Sequence, residues 1–86
     1  MASLLLSREA RLQLGRLPAN YAAAADTAIL SLEDEPLRGK ALRGELAHLR
    51  SLRVGAYRIL YRFDARSKTV IIDTIRHRSE AYRRAR

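Results

Sequence analysis

The chain has 86 residues, two histidines and no cysteine. A chain of this length buries only about 60–65% of its unfolded surface, so we expect one small domain over residues 1–86. The lack of cysteine excludes disulfides, a thiolate nucleophile and a cysteine zinc site, and we expect neither a metal nor a cofactor. The early apolar run, Leu4 to Leu6, is too short for a signal peptide or a membrane span. It predicts a cytoplasmic protein with no membrane partner.

Positive charge is concentrated in the C-terminal part of the chain. The sequence has 17 Lys and Arg against 9 Asp and Glu, a formal net charge of +8. Residues 1–37 contribute −2, from 3 bases and 5 acids, and residues 38–86 contribute +10, from 14 bases and 4 acids. Most of the bases are Arg, whose planar fork fits phosphate. This segregation predicts a polyanionic partner such as nucleic acid, with a merely solvated basic surface as the alternative.

The first half of the sequence predicts a short strand and two helices. The apolar run Ser3 to Leu6 suits a strand, and Ser7 stands where a helix N-cap would, with Glu9 in the first turn of a helix that ends near Leu17. Pro18 can open a second helix. Its apolar stripe recurs at helical spacing, at Ala22, Ala25, Ile29 and Leu32.

Beyond a loop predicted over Leu37 to Gly44, the apolar period changes to two. Gly55 and Ala56 separate two runs as a tight hairpin turn would, and a third run follows at Thr69 to Arg76. The fold class is therefore α+β, with the helices on one face of a three-stranded antiparallel meander. The tail from Ser79 to Arg86 predicts a last basic helix. The residues expected to face the helices are Tyr57, Ile59, Tyr61 and Phe63.

The hairpin turn determines which arginines are neighbours. A two-residue turn places Arg53 opposite Arg58, on the face away from the helices. Like charges directly opposite one another destabilise a sheet, so these side chains either splay into water or hold an anion together. The register of the third strand stays open at this stage. A four-residue loop would place Asp73 beside the arginines, whereas a shift by one residue would place Arg76 there.

A family resemblance lies in the run LRSLRVGAYRILYRFDARSKTVIIDTIRHRSEAY. It resembles the RelE/ParE superfamily of bacterial and archaeal toxins, which commonly have an L-R-V-G-x-Y-R core, two hydrophobic residues and Tyr, and a closing H-R-x-x-x-Y. The resemblance implies a RelE-like, microbial-ribonuclease-like antiparallel sheet, with the N-terminal helix pair on one face and a basic concave face opposite. The matching residues are Leu52, Arg53, Val54, Gly55, Tyr57, Arg58, Tyr61, His77, Arg78 and Tyr82.

The same resemblance implies the toxin component of a type II toxin–antitoxin system. Such a toxin is bound by a cognate antitoxin and contacts operator DNA only through it. RelE-like members cleave messenger RNA in the ribosomal A site, whereas their ParE relatives inhibit DNA gyrase. We therefore expect a ribosome-dependent, metal-independent messenger RNA endonuclease that inhibits translation. A gyrase inhibitor and a non-toxic, antitoxin-binding family member are the alternatives.

Residue roles also follow from the resemblance. Arg58 resembles the arginine that contacts the scissile phosphate, Arg76 a second functional arginine, and Tyr82 the tyrosine that stacks on or orients a base. Some RelE toxins have two lysines where this chain has Leu49 and Ser51. The resemblance therefore assigns the arginines a role but does not assign the groups that transfer protons. Further RNA or phosphate contacts are expected from Lys40, Arg50, Arg53, Arg62 and Arg78.

Proton transfer needs a group other than arginine, which stays charged and cannot act as a base. Histidine is the side chain whose ordinary pKa lies nearest neutrality. His77 is therefore expected to be catalytic, with a histidine packed at a strand end as the alternative. His48 is expected to have a structural or surface role. An ordinary helix anchor is the alternative for Tyr82.

Overall fold

The computed structural model describes residues 1–79, which form two helices on a five-stranded mixed sheet. The strand order is β1-β5-β4-β3-β2; β1 runs parallel to β5, and the other neighbours are antiparallel. The predicted C-terminal helix, from Ser79 to Arg86, lies outside the described residues except for its first residue. The elements are β1 (Ser3–Leu6), α1 (Arg8–Arg16), α2 (Ala19–Ser31), β2 (Lys40–Ala41), a 3-10 turn (Gly44–Leu46), β3 (Arg50–Val54), β4 (Tyr57–Asp64) and β5 (Thr69–His77).

Local signals place both helices. The Ser7 side chain caps α1 by accepting a hydrogen bond from the Ala10 N–H at 2.9 Å, as predicted. The extended backbone of Leu17 and Pro18 then separates α1 from α2. Pro18 is the N-cap of α2, so the predicted start of that helix is confirmed to within one residue.

The hydrophobic core lies between the helices and one face of the sheet. The predicted α2 stripe turns inward, since Ala25, Ile29 and Leu32 are buried. Ile59 and Tyr61 of β4 are fully buried, and Tyr57 and Phe63 pack against the same cluster. The expected helix-facing side of β4 is therefore confirmed. The rest of the buried cluster consists of Ala2, Ala10, Val70, Ile72 and Ile75.

Two strands extend the predicted meander. β1 joins its outer edge in parallel with β5, and the α1–α2 pair carries the chain from β1 to β2 at the opposite edge of the sheet. β2 lies within the segment predicted as a loop and pairs Lys40 with Ser51. A two-residue strand has no alternating pattern by which the sequence could reveal it. None of the helices within residues 1–79 has the length and apolar character that a bilayer crossing requires.

The hairpin between β3 and β4 depends on glycine. Gly55 has a φ of 58°, a left-handed value that L side chains rarely adopt. A Cβ at this position would also stand 2.6 Å from Cε1 of Tyr21 on α2. The turn therefore fixes the β3–β4 register and brings α2 close to the hairpin.

Candidate functional site

Three arginines form a row across the centre of the sheet. Arg53 of β3 pairs with Arg58 of β4, and Arg58 pairs in turn with Arg76 of β5. Cross-strand partners share a face, so the row lies on the side of the sheet opposite the helices, which we call the arginine face. Arg58 and Arg76 are half-buried and Arg53 is exposed. Three cations in adjacent positions make a site that favours an anion.

A β-bulge aligns Arg76 with this row. The four-residue loop after β4 sets the register as far as the pair Tyr61–Ile72, but the next pair is Leu60–Thr74. Asp73 is the extra residue, and its carbonyl accepts a hydrogen bond from the Ser7 hydroxyl at 2.7 Å. Because the bulge shifts the register by one residue, both open alternatives are partly realised. Arg76 joins the row, and Asp73 lies beside it.

A pocket of about 540 Å³ opens on the arginine face next to the row. Its wall combines residues from α1, the segment around the 3-10 turn, and the three central strands. Volumes of this size are typical of sites for small ligands. The lining residues are Glu9, Leu42, Leu46, His48, Leu49, Ser51, Arg58, Leu60, Asp73, Thr74 and Arg76.

Helix α1 brings a carboxylate to the pocket. β1 pairs with β5 only as far as Ile72, and α1 then runs beside the rest of that strand. Gln13 accepts a hydrogen bond from the Ile75 N–H at 2.6 Å, which satisfies a backbone donor of β5. One oxygen of Glu9, Oε2, accepts a hydrogen bond from the Thr74 hydroxyl at 2.5 Å and lies 3.9 Å from the Arg76 guanidinium. Glu9 is therefore both a counter-charge to the arginine row and part of the pocket wall.

A buried tyrosine holds the segment that leads into the pocket wall. The Tyr61 hydroxyl donates to the Pro36 carbonyl at 2.9 Å and accepts from the Gly39 N–H at 2.8 Å. A Cβ on Gly39 would lie 2.7 Å from the Tyr61 ring, so glycine allows this close approach. Burial raises the pKa of the Tyr61 phenol, against the opposing effects of the Gly39 N–H and the charges of Arg50 and Arg38. Tyr61 thus fixes the backbone just before β2.

Comparison with known proteins identifies the family. A family model for the ParE toxin of type II toxin–antitoxin systems, parDE, matches residues 4–82. The chain belongs to this family of toxins. It is 48% identical over 77 residues to Toxin RelG of Mycobacterium tuberculosis, a match that covers 87% of this chain and 88% of the relative. The predicted membership of the RelE/ParE superfamily is confirmed.

Solved structures support the same conclusion. A chain in the crystal structure of the RelBE2 toxin–antitoxin complex from Mycobacterium tuberculosis matches the toxin with a TM-score of 0.82 and 42% identity, over 90% of this chain and 98% of that one. The isolated RelE toxin of E. coli matches with a TM-score of 0.78 over 100% of both chains. At 16% identity the second likeness shows the fold alone, and it confirms the predicted RelE-like α+β architecture.

Two predicted site residues of the toxin lie on the helix side of the sheet. His77 pairs with Tyr57, packs edge-on against its ring at a centroid distance of 5.3 Å, and contacts the Ser79 hydroxyl through Nδ1 at 3.0 Å. Arg50 pairs with Tyr61, and its guanidinium donates to the Gly39 carbonyl at 2.6 Å and the Leu37 carbonyl at 3.2 Å. Neither residue lines the pocket. The catalytic role of His77 and the RNA contact of Arg50 stay predictions.

The other predicted RNA-contacting residues are spread around the row. Lys40 and Arg62 are exposed on the arginine face, through their pairings with Ser51 and Ile71. Arg78 is exposed just after β5, and its N–H donates to the Ala56 carbonyl of the hairpin turn at 2.7 Å. Tyr82 lies outside the described residues.

Some pocket residues of the toxin were not identified from the sequence. Glu9 precedes Arg76 by most of the chain, and only the packing of α1 beside β5 brings them together. His48 lines the pocket although a structural or surface role was predicted for it. No spacing motif marks either residue. For His48 the sequence offers one hint: it stands two residues before β3, one of the strands that carry the arginines.

Proposed function

We propose that this toxin cleaves messenger RNA on the ribosome and thereby inhibits translation in the cytoplasm. The observation that carries the proposal is the row of Arg53, Arg58 and Arg76 beside a pocket on the open face of the sheet. Cleavage of RNA by its own 2′-hydroxyl builds negative charge on the phosphate oxygens. Arginines fixed on neighbouring strands are suited to meet that charge.

Arg58 occupies the centre of the row and is assigned to the scissile phosphate. Its guanidinium lies 3.5 Å from the Ser51 hydroxyl, and both residues line the pocket. Arg76 is the second phosphate ligand, oriented by the carboxylate of Glu9. Arg53, Lys40, Arg62 and Arg78 are assigned to the flanking RNA backbone, where they supply attraction at longer range.

His48 is the favoured proton acceptor because it lines the same pocket as Arg58 and Arg76. His77 stays a second candidate. For His77 to act, the RNA must reach the helix side of the sheet at the C-terminal end of β5. The pair His48→Ala and His77→Ala separates them. We expect His48→Ala to lower the cleavage rate by about 10²-fold or more, the usual contribution of a general base. A larger loss in His77→Ala would assign the role to His77.

Ribosome dependence is expected because the proposal assigns proton transfer to a single pocket residue, His48. An enzyme with little acid–base help must draw more of its rate from positioning, and the ribosome can present the messenger in one bend. We expect purified toxin to cut a message on programmed ribosomes and to leave the same naked RNA intact. Equal cleavage of both substrates would contradict this part of the proposal.

Inhibition of DNA gyrase is the second candidate, favoured by the family model that matches the chain, which describes the ParE toxin of parDE. A gyrase inhibitor acts by binding and needs no scissile phosphate. Induction of the toxin in a growing culture separates the two functions: translation arrest without DNA damage supports ribonuclease action. DNA damage with continued translation, together with inhibition of purified gyrase, would establish the alternative.

A cognate antitoxin is the proposed partner, and operator DNA is contacted only through it. The similar chain from Mycobacterium tuberculosis was solved in a toxin–antitoxin complex. We propose that an acidic or amphipathic segment of the antitoxin folds on the toxin, covering Arg58 or displacing the tail that carries Tyr82. Hydrogen exchange with and without antitoxin tests this. Unchanged protection in β4 and in the tail would contradict it.

A further inference from the structure

The pocket beside the arginine row has more than the features of a phosphate site. Leu42, Leu46 and Leu60 contribute apolar wall, and the buried Leu49 closes the same side. Contact with such an apolar wall does not stabilise a phosphate, whereas it does stabilise the planar face of a nucleobase. A nucleotide bound with its phosphate on Arg58 would therefore have an apolar surface for its base within the same pocket.

The pocket also carries a restrained hydrogen-bond acceptor. Oε2 of Glu9 is fixed by the Thr74 hydroxyl at 2.5 Å and by the Gln13 side-chain amide at 3.4 Å. Gln13 is itself held by the Ile75 N–H. Within residues 1–79, Oε1 of Glu9 makes no hydrogen bond. One carboxylate oxygen is thus anchored to the protein while the other is available for a ligand.

We infer that this pocket binds a nucleobase and that Glu9 selects a base bearing an amino group. The inference rests on the proposed function, since it assumes that Arg58 and Arg76 hold the phosphate of the same nucleotide. An ionised carboxylate only accepts hydrogen bonds. It therefore pairs with the N4 amino group of cytosine, as acidic side chains do in nucleic-acid recognition, and opposes the O4 carbonyl of uracil. Glu9 is a specificity-determining residue in this scheme.

Cytidine and uridine monophosphates provide the matched probes, because they differ at one ring position and share sugar and phosphate. Chemical-shift titration of isotope-labelled toxin measures both dissociation constants, with inorganic phosphate as the reference anion. We expect cytidine monophosphate to bind about 5- to 10-fold more tightly than uridine monophosphate, about the net contribution of one typical hydrogen bond. This comparison needs no variant and so does not depend on the folding of a mutant.

Glu9→Gln and Asp73→Asn then form a matched pair of variants. Each removes one negative charge from the pocket wall, so both should strengthen the attraction of the pocket for phosphate. Glu9→Gln should bring the ratio of the two dissociation constants close to one, because an amide can donate to O4 as well as accept from N4. Asp73→Asn should keep the wild-type ratio.

Several outcomes would overturn the inference. They are equal affinities in the wild-type toxin, no saturable binding of cytidine monophosphate in the millimolar range, a ratio that survives Glu9→Gln, and a ratio that Asp73→Asn removes equally. Cleavage on programmed ribosomes is measured separately with the same preparation. If the toxin cuts ribosome-bound messenger but does not distinguish the two nucleotides, the proposed function stands and the selection by Glu9 fails.

Discussion

The two faces of β4 contrast sharply within one strand. On the helix side, Ile59 and Tyr61 are fully buried in the core. On the arginine face, Arg58 has an arginine as cross-strand partner on each side. The helix side contributes stability through burial, whereas the arginine face accepts repulsion between like charges. The contrast is the one expected if the arginine face binds the RNA phosphate proposed above and the helix side stabilises the fold.

Arg58→Ala should give the largest effect and the clearest separation of the two faces. Removing the central cation takes away the main phosphate ligand, so cleavage on ribosomes should fall by about 10²- to 10³-fold. The melting temperature should stay the same or rise, because two repulsive cross-strand pairs disappear. A cleavage assay on programmed ribosomes and calorimetry measure the two quantities, and growth after induction measures the loss of toxicity.

Arg62→Ala is the matched control for this experiment. It removes the same charge from the same strand and face, but its partner on β5 is Ile71 and not another arginine. Its effect on cleavage should be much smaller than that of Arg58→Ala. Equal losses of cleavage in the two variants would mean that only the net charge matters. A large loss of stability in Arg58→Ala with intact toxicity would make Arg58 a structural residue.

Ile59→Ala, on the helix side, should lower stability, whereas Arg58→Ala should lower cleavage and leave stability unchanged or raised. Ile59 is 0% exposed, and truncating a buried isoleucine leaves a cavity that costs about 2–5 kcal/mol in the free energy of unfolding. Urea denaturation measures the loss. Leu60→Ala, the adjacent half-buried residue on the arginine face, should cost less. If Leu60→Ala proved as destabilising as Ile59→Ala, the two faces would not differ in their contribution to stability.

Tyr61→Phe tests the polar part of the helix side. The change leaves the buried Gly39 N–H and the Pro36 carbonyl without their hydroxyl partner, which should cost about 1–3 kcal/mol. Tyr57→Phe is the control, because the Tyr57 hydroxyl makes no hydrogen bond within residues 1–79. Chemical denaturation of both variants gives the comparison. A similar loss in both variants would mean that the hydrogen bonds of the Tyr61 hydroxyl to Gly39 and Pro36 do not account for it.

Local sequence patterns predicted the parts of the toxin that depend on adjacent residues. The Ser7 cap, the start of α2 after Pro18 and the Arg53–Arg58 pair are each encoded within a few positions, and the structure has all three. The family resemblance added the fold. The bulge at Asp73 was not predictable, because it depends on the match between β4, β5 and the Ser7 hydroxyl across the sheet.

Strand alternation alone could have separated some of the predicted site residues. Neighbours on a strand point to opposite faces, so Arg76 and His77 could not both line one side of β5. The same argument applies to Arg50 and Arg53, three positions apart on β3. The position of Glu9 could not be found in this way, since it depends on where β1 ends relative to β5.

The smallest expected effect is the pH dependence of the stability that the buried Tyr61 contributes. Burial raises the pKa of Tyr61 above its ordinary value, so the unfolded chain ionises this phenol at a lower pH than the folded protein does. Its contribution to stability is therefore fully present below about pH 10 and is lost as the pH rises through the folded pKa. We expect the difference in unfolding free energy between wild-type toxin and Tyr61→Phe to be constant from about pH 8 to about pH 10 and to shrink above that. Urea denaturation of both proteins over this range measures it, since the other tyrosines are common to both and cancel in the difference. A difference that stayed constant or grew above pH 10 would place Tyr61 in a setting that favours the phenolate, contrary to its burial between Pro36 and Gly39.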